Sequence, residues 1–165
     1  MSIKVAISFA VAIIAVEGSS ALAEPMNGTF SVRYDKRGPQ PIGPDRLKID
    51  ESGSGLNKSP GQPLDNAQVT LQDSVMLVKG KGPMTGTVTF TTPSGSVTST
   101  LRGKVMTDAQ GRVTAVGKSK VVQSTGTLAG TTGSGTFSTA FSSPTDQTTE
   151  WQGNFKPPSG MASNR

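Results

Sequence analysis

From Met84 to Val121 the apolar residues fall on every second position, and the phase of that alternation dictates how the segment folds back on itself. Met84, Gly86, Val88 and Phe90 are even-numbered, whereas Val97, Ser99, Leu101, Gly103 and Val105 are odd. A period of two marks a strand with one buried face. Residues opposed in an antiparallel pair share a face. An even residue must therefore meet an odd one, so the connecting loop holds an even number of residues. Thr92-Pro93-Ser94-Gly95 meets that demand and sets Thr91 against Ser96. A loop of odd length would turn one strand's apolar set to water.

The following hairpin joins odd to odd, because Val113, Ala115, Gly117, Ser119 and Val121 follow Leu101 and Val105. It needs an odd loop. Asp108-Ala109-Gln110-Gly111 suits a type I turn with Gly111 in the left-handed region, which gives a three-residue loop and a bulge. This register puts Gly103 opposite Gly117. Facing glycines let a sheet coil, as a small barrel must to close.

The rest of the chain keeps the same rhythm. Phe30, Val32 and Tyr34 alternate with polar residues, and Gly38 to Pro44 is expected to break that strand. Leu47 and Ile49 predict a short edge strand, and residues 51–66 a long loop in which Leu56 and Leu64 tuck down as a lid. Ala67, Val69 and Leu71 predict a strand that leads into Val75-Met76-Leu77-Val78, the run expected to lie deepest. Gly135, Phe137, Thr139 and Phe141 share a face, as do Trp151, Gly153 and Phe155. Thr85 to Gly95 and Thr125 to Gly135 share a Thr-Gly-Thr…Ser-Gly pattern, which reads either as chance in a Thr-rich chain or as two pseudo-symmetric halves. The fold class that follows is all-β, a small antiparallel barrel of about eight strands.

Met1 to Ala23 reads as a secretory signal. Lys4 precedes an apolar run from Val5 to Val16, and Ala21-Leu22-Ala23 fits small-x-small cleavage before Glu24. The run is too short to span a bilayer, so no transmembrane segment is expected after cleavage; an uncleaved anchor is the alternative. Residues 24–155 then form the barrel domain and residues 156–165 a flexible tail. The expected location is secreted or periplasmic.

The chain holds no cysteine and no histidine, which removes disulfides, thiol nucleophiles, Cys/His zinc sites and imidazole catalysis. Neither metal nor cofactor is expected. Carboxylates are sparse after residue 66, and their spacing indicates no pair flanking a cleft. Gly117-Lys118-Ser119 lacks the earlier glycine of a phosphate-binding loop and alternates as a strand. Two sets of candidate residues remain. Tyr34, Phe90, Phe137, Phe141 and Trp151 are the candidate lining of a barrel cavity, with core packing as the plain alternative. Arg102, Lys104, Lys118 and Lys120 share the outer face of one hairpin in a chain of net charge +5, a candidate surface for an anionic glycan or lipid, with protection of the sheet against aggregation as the plain alternative. That face has no aromatic platform on which nucleic acid bases would stack.

The run Gly126-x-Leu128-x-Gly130-x-x-Gly133-x-Gly135-x-Phe137 resembles the late-strand signature of allene oxide cyclase-like and dirigent-like barrels, over some 12 to 16 residues. Leu128 stands where those families carry an aromatic. The resemblance implies an eight-stranded barrel with an apolar cavity, often in homo-oligomers. The families' polar catalytic residues do not map onto this chain. The expectation is an exported, non-enzymatic barrel that binds a small apolar or amphipathic ligand or serves as a passive envelope protein. An isomerase or cyclase of the resembled type is one alternative, favoured by an inward Tyr34 or Glu150. A surface or matrix protein acting through the basic strand face is another.

Overall fold

A computed structural model describes residues 22–158. Eight strands follow one another: β1 (Glu24–Gly43), β2 (Arg46–Lys58), β3 (Gln68–Val78), β4 (Lys81–Thr92), β5 (Gly95–Thr107), β6 (Val113–Ser124), β7 (Thr132–Phe141) and β8 (Asp146–Lys156). Each pairs antiparallel with the next, and β8 returns to β1, so the sheet closes into a barrel. The one helical element among the described residues is a 3-10 turn at Gly126–Leu128. No helix there is long and apolar enough to cross a membrane. Inward positions are mostly Val, Leu and Phe, and outward ones are mostly Thr, Ser, Gln and Lys. That is the reverse of a membrane-spanning barrel, whose outer wall is apolar.

Both hairpin registers follow from the alternation. Thr91 opposes Ser96, and the pairing tightens one step further to Thr92 and Gly95. Gly103 opposes Gly117. Asp108 N–H donates to Arg112 O, and Gly111 has φ +79° in the three-residue turn between them. The two glycines let the strands approach beneath Phe137: a Cβ on Gly117 would lie 2.7 Å from the Phe137 ring and 2.7 Å from Gly103 Cα.

One end of the barrel is plugged. Residues 59–67 fold across it, bringing Leu64 into the core, and the 3-10 turn adds Leu128. Asn57, fully buried, ties this plug down. Its amide donates to Leu64 O (2.7 Å) and Ser59 Oγ (3.0 Å), and its carbonyl accepts from Trp151 Nε1 (2.9 Å). The other end carries the short turns after β1, β3, β5 and β7.

Several expectations are corrected. β1 does not break at Gly38. It runs to Gly43, paired with β2 alone, because β8 leaves it after Arg33. Pro39 and Pro41 thus lie along a free edge, where a missing N–H interrupts no ladder on that side. β2 is a long strand between two neighbours rather than a short edge. It includes residues 51–58, so the predicted lid shrinks to residues 59–67; Leu64 is buried, but Leu56 points outward. Gly53 and Gly55 look like loop residues, yet they let β2 lie close against β1. Val75-Met76-Leu77-Val78 is not the deepest run. Alternation persists there, leaving Met76 and Val78 41% and 49% exposed. The two Thr-Gly-Thr segments are not equivalent halves: Thr85 to Gly95 is strand and turn, whereas Thr125 to Gly135 is a 3-10 turn followed by a strand. The predicted leader lies outside the described residues except for Leu22 and Ala23. The predicted tail has its first residue, Lys156, in β8, and beyond Pro158 it too lies outside them.

Candidate functional site

The barrel interior divides into two halves, and the five candidate cavity residues divide with it. Phe90, Phe137 and Trp151 lie in the plugged half, with Phe30 and Phe155. The rings meet edge-on or tilted: Phe90 lies 5.8 Å from Phe30 and 5.6 Å from Trp151, and Trp151 lies 5.9 Å from Phe155. Such pairs contribute about 0.5–1.5 kcal/mol each beyond the area they bury. Together with Leu71, Val88, Val97 and Leu101 they leave a residual cavity of about 40 Å³. At about 10–15 Å³ for a water, that is room for a few water molecules.

Tyr34 and Phe141 lie in the other half, stacked at 6.3 Å with their rings nearly parallel. Above them the barrel opens into a mouth of about 440 Å³, within the ~300–1,000 Å³ of small-molecule clefts. Ile49, Val75, Leu77, Val105, Val113 and Phe141 form its apolar wall, with Arg37, Glu51 and Arg112 as its charged members.

A polar cluster lies at the base of this half. A bulge at Asp35 shifts the β1–β2 register, so that Tyr34 opposes Gly53 but Arg37 opposes Glu51. The inward set of β1 therefore changes from even to odd, which brings Arg37 over the barrel. Bulges at barrel rims re-aim side chains in this way. Arg37 Nε donates to Glu51 Oε2 at 2.9 Å, and Glu51 is only 7% exposed. Asp73 sits directly across from Glu51 on β3 and is 6% exposed. The Tyr34 hydroxyl donates to Asp73 Oδ2 at 2.7 Å and lies 3.3 Å from Gln147 Oε1. Asp73 Oδ1 is buried with no hydrogen-bond partner.

Burial pushes the Asp73 carboxyl up to about 7. The Tyr34 hydrogen bond pulls against it, Glu51 adds to the rise, and the Arg37 charge opposes it. The Tyr34 hydroxyl is raised above the usual phenol range by burial first and the two carboxylates second. The cluster thus joins a paired ion, a carboxyl that changes state near neutrality, and a neutral phenol. Such perturbed groups concentrate at functional sites.

Sequence reasoning found Tyr34 and Phe141 but missed Arg37, Glu51 and Asp73 as a group. It placed Glu51 in a loop, and the absence of a facing carboxylate pair, as read from spacing, is corrected by the Glu51–Asp73 opposition. Glu150, the other carboxylate considered for the interior, is exposed on β8. Among the described residues no group of three or more His, Cys, Asp or Glu is placed to hold a metal ion. Arg102, Lys104, Lys118 and Lys120 are all exposed on the outer face of β5 and β6, with Arg102 directly beside Lys118.

Comparison with protein-family models, with curated proteins and with solved structures finds no match. The functional reading therefore rests on this chain's own residues.

Proposed function

We propose that this protein is an exported, non-enzymatic barrel that holds a small amphipathic molecule in its open mouth. The observation that carries this reading is the apolar-walled space of about 440 Å³ with the Arg37–Glu51 pair at its edge. An apolar body would lie against Ile49, Val75, Leu77, Val113 and Phe141, and its polar head would exchange hydrogen bonds with Arg37 and Glu51. Export is supported by the start of β1 at Glu24, the residue after the predicted cleavage point. The test is native mass spectrometry of protein purified from its own host, joined to displacement of an apolar fluorescent probe. A bound small molecule, and a probe affinity that falls at least tenfold in Val113→Trp, are expected. A wild-type protein that carries no molecule and binds no probe would overturn the reading.

The Tyr34–Asp73 hydrogen bond favours a second reading, an isomerase or cyclase of the resembled kind. Ionised Asp73 would take a proton from a substrate carbon and return it at another, and the Tyr34 hydroxyl, released from the carboxylate as that proton arrives, would turn its own hydrogen to the developing oxyanion. Asp73→Asn would then abolish turnover of the recovered molecule while leaving its binding intact.

A further inference from the structure

The charges of this barrel are sorted around its circumference. The outward strand positions of β3 to β7 hold no carboxylate. Asp73 points inward, and Asp108 lies in an end turn, paired with Arg112. The outward strand positions of this sector carry five cations, Lys81, Arg102, Lys104, Lys118 and Lys120, all exposed. None of them takes part in an ion pair among the described residues; the four pairs present all lie elsewhere.

Register arranges the five as a file rather than a patch. Lys81 on β4 opposes Met106 of β5, and Lys104 stands one outward position further along β5. Arg102 follows one position on and directly opposes Lys118 of β6; Lys120 is the next outward position there. Outward neighbours along a strand are about 6.7 Å apart and strands about 4.8 Å apart, so the file runs about 22 Å obliquely across three strands. Hydroxyls flank its β5–β6 part, with Thr85 and Thr100 beside the arginine, Thr136 beside Lys118 and Ser134 beside Lys120, whereas Lys104 stands between Pro83 and Val116.

We infer that this file is a docking track for a linear anionic polysaccharide. Charge complementarity is one-signed here, since no carboxylate on these strands would repel the polymer. A narrow file on a convex wall matches a chain laid along it, whereas a flat bilayer would touch only part of it. Lysine and arginine would meet the carboxylates or sulfates of the sugars, and the flanking Thr and Ser hydroxyls would exchange hydrogen bonds with sugar hydroxyls. No aromatic side chain projects from these positions, which disfavours single-stranded nucleic acid. The surface is separate from the mouth and does not depend on what the mouth holds.

The test compares the purified wild-type protein with two triple variants of equal charge loss. Arg102→Gln/Lys118→Gln/Lys120→Gln removes three of the file's five cations, the contiguous run across β5 and β6. Lys36→Gln/Arg46→Gln/Lys58→Gln removes the same charge from β1 and β2. Binding is measured to polygalacturonate and dextran sulfate, with uncharged dextran, anionic phospholipid vesicles and a single-stranded oligonucleotide as the other arms. Expected is salt-sensitive binding to the anionic polysaccharides that falls at least tenfold in the first triple and less than threefold in the second. Amide shifts on titrating the wild type with an oligogalacturonate should map to β4–β7, a readout that needs no variant. Equal losses in both triples, shifts spread around the barrel, or tighter binding to vesicles or oligonucleotide than to polysaccharide would each overturn the inference.

Discussion

Glu51 and Asp73 oppose each other across β2 and β3, both turned inward and both less than a tenth exposed. Their surroundings differ in one respect that sets their chemistry apart. Glu51 has a guanidinium against it, from Arg37; Asp73 has only the neutral Tyr34 hydroxyl and one oxygen with no partner. Burial first, and the neighbouring Glu51 second, make the Asp73 carboxyl hold its proton more tightly than a free one. Asp73 is thus a carboxyl raised to about 7.

Stability should therefore depend on pH through Asp73. Its native carboxyl titrates at about 7, against an ordinary value of 3.8, so the folded state holds the proton more tightly than the unfolded chain. The stabilisation is whole below about pH 4 and is lost as pH rises to 7, by about 4 kcal/mol at most. Urea midpoints measured from pH 4.5 to 8 should fall across that window in wild type and stay nearly level in Asp73→Asn. A level wild-type profile, or an undiminished slope in the variant, would count against the assignment.

Tyr34→Phe keeps the ring stacked on Phe141 but removes the donor to Asp73. That hydrogen bond favours the ionised carboxyl, so its loss should raise the Asp73 titration further and leave the proton in place above pH 7. A carboxyl carbon-13 titration of Asp73 would read the shift directly. Stability at pH 7 should drop by about 1–3 kcal/mol, the usual cost of stranding a buried acceptor. An unmoved titration would mean that the hydroxyl does not govern the carboxyl.

The ring of strands was legible in the sequence because alternation and loop parity are local and rigid. Thr91 against Ser96 and Gly103 against Gly117 both follow from counting. The site was less legible, for a physical reason. A single extra residue, Asp35, inverts which residues of β1 face inward, and nothing in its side chain announces a bulge. Prolines 39 and 41 look like strand breakers until the missing neighbour on that edge is known. Gly53 and Gly55 look like loop residues until β1 is seen to lie against them. Glu51 and Asp73 then meet through a register set across the plug loop, beyond the reach of hairpin counting. The basic face was legible, since it needs only the parity of β5 and β6.

Gly117→Ala should destabilise more than Gly111→Ala, although Gly111 has the left-handed backbone and Gly117 does not. A Cβ on Gly117 meets the Gly103 backbone and the Phe137 ring at 2.7 Å, inside a closed wall with no room to yield. Overpacking of that kind costs about 1–3 kcal/mol and occasionally more, and the nearest atom here is the Arg102 carbonyl oxygen, which is backbone and cannot swing aside. Gly111 has open space around its added methyl and bears only the backbone strain, about 1–2 kcal/mol. Chemical denaturation of the two variants decides the order. Equal losses would mean that the facing glycines are not a packing requirement.

Asn57→Ala should loosen the plugged end before it unfolds the barrel. The substitution strands Trp151 Nε1–H and the buried Ser59 Oγ, both of which now end on the Asn57 amide, while the Leu64 carbonyl keeps the Ala67 N–H. At about 1–3 kcal/mol for each stranded group, a total near 4 kcal/mol is expected. The loss should not be uniform. Residues 59–67 are held by Asn57, by Ser59 N–H on Asp65 Oδ1 and by the burial of Leu64, whereas the strands keep their ladders. Hydrogen exchange should therefore quicken first in backbone amides such as those of Gln62 and Asp65, with β4 and β5 protected to a greater free energy. Trp151, the only tryptophan of the chain, gives a second readout: its emission should shift to the red as water reaches the indole. Exchange that rises equally in all strands, with an unshifted emission, would show that Asn57 supports the whole barrel rather than its plug.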